Sequence, residues 1–313
     1  MHETSLRFDS AGHTLAGTLA LPEGDGPFPA VLLVSGSGPL DRNSDHRTMR
    51  FEVSRQLAHA LAAAGLASLR YDKRGVGESP GDWREAGLFD NVDDAGAALA
   101  ALAARPEVDA GRVLAAGHSE GALLVTAMAG RGAPVAGLVL LSGSATPGEQ
   151  LLLWQADRIG ATLPGPVRGL LRLLHIDVRA KVAKNHAKIK ATTTDVARLG
   201  LARLNARWLR EFLAYDPRTD LARVRVPVLA LTGSNDLQVD PADLDEIARQ
   251  VPGPVQIHLA RGVSHTLRVQ PGAPSLRKYK AELRDPIAPQ VVRAVVDWCR
   301  ARTAVTPARK DQG

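Results

Sequence analysis

Hydrophobic and polar positions alternate with period two near the start of the chain, then give way to continuous apolar runs separated by helical periodicity. Residues 3–9 and 13–21 alternate around Ala11-Gly12, which predicts an antiparallel β-hairpin. A Pro/Gly loop from Pro22 to Pro29 leads into Ala30-Val31-Leu32-Leu33-Val34, the continuous run that a strand buried on both faces requires. Further apolar strands are predicted at 66–71, 112–116, 136–141, 227–232 and 255–259. Between them lie helical patterns at about 48–64, 90–104, 120–130, 241–250 and 288–302. This alternation predicts an α/β fold, with a mostly parallel sheet, flanking helices and an N-terminal antiparallel hairpin.

From about 146 to 220 the rhythm breaks. That stretch offers no convincing strand, several Leu/Arg helical patterns, and breakers at Pro147, Pro164 and Gly165. It reads as a helical insertion, 146–220, dividing a core of 1–145 and 221–303, with a polar tail at 304–313. An insertion at a strand's C-terminal end in a parallel sheet sits over the ligand crevice. Its Leu152, Leu153, Trp154, Leu170, Leu171 and Leu173 form either an acyl-binding wall or the insertion's own packing face.

Composition changes this picture little. The 313 residues are 45% hydrophobic and 23% charged, ordinary for a globule, but only 4% aromatic, so the core must be built from Ala, Leu and Val. The formal charge of +6 is concentrated in residues 146–226, with 15 Lys and Arg against 7 Asp and Glu. No zinc-finger, helix-turn-helix or RNA-binding signature accompanies it, so the excess reads as a solvated helical surface and nucleic acid is not expected. No basic segment followed by an apolar one opens the chain, and no apolar stretch reaches membrane-spanning length. The expectation is a cytoplasmic protein with no membrane partner. The one cysteine, Cys299, lies in a helical pattern and reads as a buried thiol. No Cys/His cluster calls for a metal, and no cofactor is expected.

The chemistry concentrates in Gly117-His118-Ser119-Glu120-Gly121, which follows an apolar strand and opens a small-residue helix. A G-x-S-x-G pattern in that context holds a serine on a tight, strained turn, and the positions two before and two after it must be nearly without side chains. Ser119 is the nucleophile candidate. A second match, Gly77-Glu78-Ser79-Pro80-Gly81, has proline directly after the serine, which removes an N–H that an oxyanion would use, so Ser79 reads as a loop residue.

A serine hydroxyl needs a base, and the base an orienting carboxylate. Of nine histidines, His265 in Gly262-Val263-Ser264-His265-Thr266 follows the last strand on the side of the sheet where Ser119 must lie. His118 adjoins the serine but is held in the turn. Asp236 and Asp240 are both carboxylate candidates. Asp236 is nearer the strand end at Thr232-Gly233, whereas Asp240, before Pro241, reads as a helix cap. Charge on a tetrahedral intermediate needs backbone donors: the amide of Glu120 at the helix start, and that of Ser37 in Ser35-Gly36-Ser37-Gly38 after the strand ending at Val34.

Four segments together resemble the α/β-hydrolase superfamily, and more narrowly its bacterial carboxylesterases and serine-aminopeptidase-like hydrolases. They are Ser35 to Arg42, Tyr71 to Gly77, Gly117 to Gly121, and Tyr215-Asp216-Pro217 leading into Pro227 to Val239. The resemblance implies an α/β-hydrolase fold with a helical lid, a Ser119-Asp236-His265 triad, and cleavage of a small-molecule ester through an acyl-enzyme. A thioesterase or acyltransferase on the same machinery is the alternative, since the basic insertion suits acyl-CoA; a peptidase or a non-catalytic binding protein fits less well. Many relatives carry His-Gly where this chain has Ser35-Gly36. Asp41 and Arg42 are expected to pair with each other and shape that loop.

Overall fold

The computed structural model describes residues 1–200 and 202–304, with the side chains of Leu171, Arg172 and Leu199 left out. The alternating N-terminal runs form β1 (His2–Ser10) and β2 (His13–Leu21), paired antiparallel through a turn in which Ala11 and Gly12 both take positive φ. Five apolar runs become β3 (Phe28–Val34), β4 (Ala67–Tyr71), β5 (Val108–His118), β6 (Leu138–Leu141) and, after the insertion, β9 (Val228–Gly233). With β10 (Val255–Ala260) they form one eight-stranded sheet in the order β1-β2-β4-β3-β5-β6-β9-β10. Every pair from β4 to β10 is parallel.

The continuous apolar runs are explained by coverage of both faces. Along β3, Ala30, Leu32 and Val34 pack into one core layer, with residues of α2 (Leu88–Ala103) and α3 (Glu120–Gly130). Val31 and Leu33 point the other way, into a layer shared with α1 (Val53–Ala63) and the C-terminal helix Pro289–Thr303. The period of two along a strand thus delivers apolar side chains to both layers. Cys299 is fully buried on that last helix, where burial pushes its thiol up to about 12.

Between β6 and β9 the chain forms α4 (Gly148–Thr162), α5 (Gly165–Leu173), α6 (Val178–Lys190), β7 (Val196–Leu199), β8 (Ala202–Asn205), α7 (Ala206–Ala214) and α8 (Arg218–Leu221). The insertion therefore contains a short antiparallel hairpin, β7-β8, where no strand was expected. Its strands are only four residues each and rich in Arg, too short for a period-two pattern to stand out. Past β9 follow α9 (Asp243–Gln250), β10, α10 (Tyr279–Glu282) and the last helix, α11. The expected tail lies, beyond Ala304, outside the described residues. No helix among the described residues is long and apolar enough to cross a membrane.

Candidate active site

Strand β5 ends at His118 and helix α3 starts at Glu120, so Ser119 must reverse the chain within one residue. It does so at φ 57°, ψ −119°, a conformation L-residues avoid, and its amide is anchored to the Leu141 carbonyl of β6 at 2.8 Å. The flanking glycines are obligatory. A Cβ on Gly117 would collide with the backbone of Gly121, and one on Gly121 would collide with the Val34 carbonyl.

His265 arrives from the loop after β10. Its Nε2 lies 3.0 Å from Ser119 Oγ, and its Nδ1 lies 2.8 and 3.0 Å from the two Asp236 oxygens. The network assigns Nδ1–H as donor to Asp236, leaving Nε2 free to accept the serine hydroxyl. Asp236 Oδ1 also accepts the amides of Gln238 at 2.8 Å and Val239 at 3.0 Å. Burial works to raise this carboxyl, but the charge and hydrogen bond of His265, with the two amides, hold it below its ordinary value. Asp240 instead accepts the Ala242 amide at 3.0 Å in the turn before α9; the expected helix cap falls two residues later, at Ala242, with no side-chain hydrogen bond. Of the two aspartates, Asp236 is the one within hydrogen-bonding distance of His265.

The His265 loop is fixed from three sides. Glu282, on α10, accepts Ser264 Oγ at 2.6 Å and Thr266 Oγ1 at 2.9 Å. The buried Arg268 guanidinium donates to the Thr266 carbonyl at 2.6 Å and to the Phe51 and Asp285 carbonyls. His118 Nε2–H donates to the His265 carbonyl at 2.9 Å. His118 is therefore turned away from the serine hydroxyl and supports the loop that carries His265. Burial, then the nearby charge of His265, pulls its pKa down to about 3, so its ring is neutral.

Glu120 begins α3, where helix N–H groups have no partner one turn back. Neither its amide nor that of Ser37 donates to another group among the described residues, and both residues line the space beside Ser119. The Glu120 side chain has a separate role that the sequence did not reveal. It is buried and accepts Lys73 Nζ at 2.9 Å, Trp208 Nε1 at 2.6 Å and Asn91 Nδ2 at 3.4 Å. The same Lys73 ammonium donates to the Gly36 carbonyl at 2.6 Å. In a planar trans peptide the carbonyl and the following N–H point in opposite directions, so fixing the Gly36 oxygen fixes the direction of the Ser37 N–H. The signal was present in Tyr71-Asp72-Lys73-Arg74-Gly75, but nothing in one sequence says which cation of that motif reaches the loop.

One expected contact is corrected. Arg42 does not pair with Asp41; it forms a bidentate pair with the buried Asp72, at 3.1 Å from Nε and 2.5 Å from Nη2. Asp41 instead accepts the amides of Asn43 at 2.8 Å and Asp45 at 2.9 Å. The planar guanidinium fork matches a fixed, distant carboxylate better than one on the adjacent residue. Ser79, as expected, is structural: its buried hydroxyl donates to the Asp72 carbonyl and accepts the Ala16 amide. Of the insertion's leucines, Leu152 lines the site, whereas Leu170 and Leu173 are exposed and Leu171 lies outside the described side chains. Among the described residues no group of three or more His, Cys, Asp or Glu side chains is placed to hold a metal ion.

A strained serine between strand and helix, a histidine and buried aspartate from later loops, and a parallel sheet with an antiparallel hairpin define an α/β hydrolase. The chain belongs to the family described as serine aminopeptidase, S33, which it matches over residues 49–271. It is 29% identical over 240 residues to the esterase EstD of Thermotoga maritima, a stretch covering 76% of this chain and 54% of that protein. It is 39% identical over 117 residues to an uncharacterized Mycobacterium tuberculosis protein, 37% of each chain. The chain thus spans about half, or less, of the length of these curated relatives. Among solved structures, Est1E of Butyrivibrio proteoclasticus with ferulic acid bound superposes at a TM-score of 0.64, with 18% identity over 95% of this chain and 98% of that one. A proline iminopeptidase of Mycobacterium smegmatis superposes at 0.63, with 16% identity over 96% and 99%. At such identities these two likenesses establish the fold.

Proposed function

We propose that the protein is a carboxylesterase acting on a small-molecule ester through an acyl-enzyme on Ser119. The observation that carries this reading is the linear relay Ser119 Oγ–His265–Asp236, at 3.0 and 2.8 Å, beside two unpartnered amides. His265 Nε2 takes the hydroxyl proton as Oγ bonds to the ester carbon and the carbonyl electrons move to oxygen. The Ser37 and Glu120 amides hold that oxyanion, while Asp236 remains ionised and stabilises the imidazolium. Collapse breaks the bond to the alcohol oxygen, which takes the proton from His265. A water then gives its proton to His265 and its oxygen to the acyl carbon, and the acid leaves as Ser119 recovers its proton. Residues 146–220 act as a lid on a core of 1–145 and 221–303.

Two findings favour an ester over the amino-terminal peptide that the family description suggests. The curated relative covering most of this chain is named an esterase. Moreover, Glu120 is the one carboxylate, among the described residues, lining the three cavities that border Ser37, and Lys73, Trp208 and Asn91 already occupy it. A substrate ammonium would find no free carboxylate there.

The test combines p-nitrophenyl butyrate turnover with fluorophosphonate labelling. Ser119→Ala should lose labelling and lower kcat by about 10⁴-fold or more while circular dichroism is unchanged. Asp236→Asn should cost roughly 10⁴-fold by trapping the wrong histidine tautomer, and Asp240→Asn should cost little. Retained turnover in Ser119→Ala, or a larger loss from Asp240→Asn, would refute the assignment.

A further inference from the structure

Space around Ser119 is divided into compartments. One of about 200 Å³ is lined by His265, His118 and Ser119 with Leu40, Met49 and Phe51. A smaller one, about 90 Å³, is lined by Ser37, Ser119 and Glu120 with Leu123, Leu152 and Phe212; His265 does not line it. A leaving alcohol must collect its proton from His265 Nε2, so the alcohol belongs in the larger compartment. The acyl group, on the other side of the tetrahedral carbon, belongs in the smaller.

Behind the acyl compartment lies a third cavity of about 270 Å³, walled by Trp83, Ala86, Leu204 and Leu209. Three residues line both this cavity and the acyl compartment: Ser37, Glu120 and Trp208. The first two are committed to the oxyanion loop and the helix start, which leaves the Trp208 indole as the partition. The indole is held in place twice, by Nε1–H donating to Glu120 at 2.6 Å and by stacking on Phe212 with ring centroids 4.8 Å apart. Its helix is anchored one turn back, where Asn205 caps the Trp208 amide and donates to the Trp83 and Ala86 carbonyls at 2.8 and 2.7 Å. The charged groups on the far wall are also spent, since Arg74 is paired with the buried Asp94. Most of what remains open to a ligand there is apolar and aromatic surface.

We infer that Trp208 is the specificity-determining residue of this site, restricting it to short acyl groups and closing off a ready-made cavity for longer or aromatic ones. This rests on the ester-hydrolysis reading above. An apolar cavity of about 150 Å³ takes a benzene ring, so the acyl side, at about 90 Å³, suits a chain of roughly two to four carbons. With the wall removed, the 270 Å³ behind it becomes continuous with the acyl side.

The experiment is a series of p-nitrophenyl esters from acetate to octanoate, which keeps the leaving group constant and varies only the acyl chain. In the wild type, kcat/KM should fall at least tenfold from butyrate to octanoate, as expected when methylenes outgrow an apolar pocket. Trp208→Ala and the bulkier Trp208→Leu should each raise the octanoate-to-butyrate ratio at least tenfold. Trp208→Phe, which keeps the wall but loses the hydrogen bond, should keep the wild-type ratio. A wild type that cleaves octanoate as well as butyrate would overturn the inference. So would an unchanged ratio in whichever of the alanine and leucine variants melts cooperatively, with short-ester turnover then leaving the esterase reading intact. Absence of all ester turnover and of Ser119 labelling in the wild type would instead remove the esterase reading, and this inference with it.

Discussion

Lys73 shows how a single buried charge can be set to work at a distance from the reacting atoms. Its ammonium bridges the Glu120 carboxylate and the Gly36 carbonyl, and so governs the direction of the Ser37 N–H. Lys73→Met should therefore lower kcat by about 10²–10³-fold, the scale of losing one oxyanion donor, with little change in KM. It also strands a buried carboxylate, which costs stability. Lys73→Met with Glu120→Gln removes that stranded charge. Steady-state kinetics and urea melts should show stability recovering in the double variant while kcat stays low. Recovery of both together would reduce Lys73 to a structural role.

At the scale of elements, loops after β5, β9 and β10 bring the three central side chains together, and His118 ties the first of these to the last. Burial lowers the His118 pKa from 6.5 to about 3, so the folded chain refuses a proton that the unfolded chain accepts. The stability this contributes is present above pH 6.5 and is lost progressively as pH falls toward 3, because the unfolded state then binds more protons. The lowered Asp236 carboxyl acts with the same sign below its ordinary value. The urea midpoint should thus drop between pH 7 and pH 4, and His118→Gln should flatten that dependence. An identical slope in the variant would show that acid acts elsewhere. The β7-β8 hairpin marks where element prediction failed, since four-residue strands carry too few positions for periodicity to register.

For the molecule as a whole, the basic excess of the insertion is partly neutralised by its own acids and by the core. Arg179 pairs with Asp157, Lys190 with Glu149, Arg218 with Asp216, and Arg207 with Asp90 and Glu211. A neutral p-nitrophenyl ester should accordingly show a KM indifferent to salt. A CoA thioester, whose phosphates would sense the remaining exposed cations, should show a KM that rises with ionic strength as screening grows. Equal responses would remove the support that the insertion's charge lends to the thioester alternative.

The sequence by itself predicted a mostly parallel sheet flanked by helices with an N-terminal hairpin, and it singled out Ser119 and His265 as candidates for nucleophile and base. Those features depend on local spacing: a continuous apolar run, a glycine on either side of a turn, a loop directly after a strand. It narrowed the carboxylate to two aspartates four residues apart, and tertiary structure selected Asp236 because only that carboxylate meets His265. Tertiary structure alone decided that Arg42 reaches Asp72, that Lys73 bridges Glu120 and the Gly36 carbonyl, and that the Trp208 indole donates to Glu120. Each of these contacts joins residues tens of positions apart, through buried charges and cavities whose partners are set by packing and leave no periodic trace along the chain.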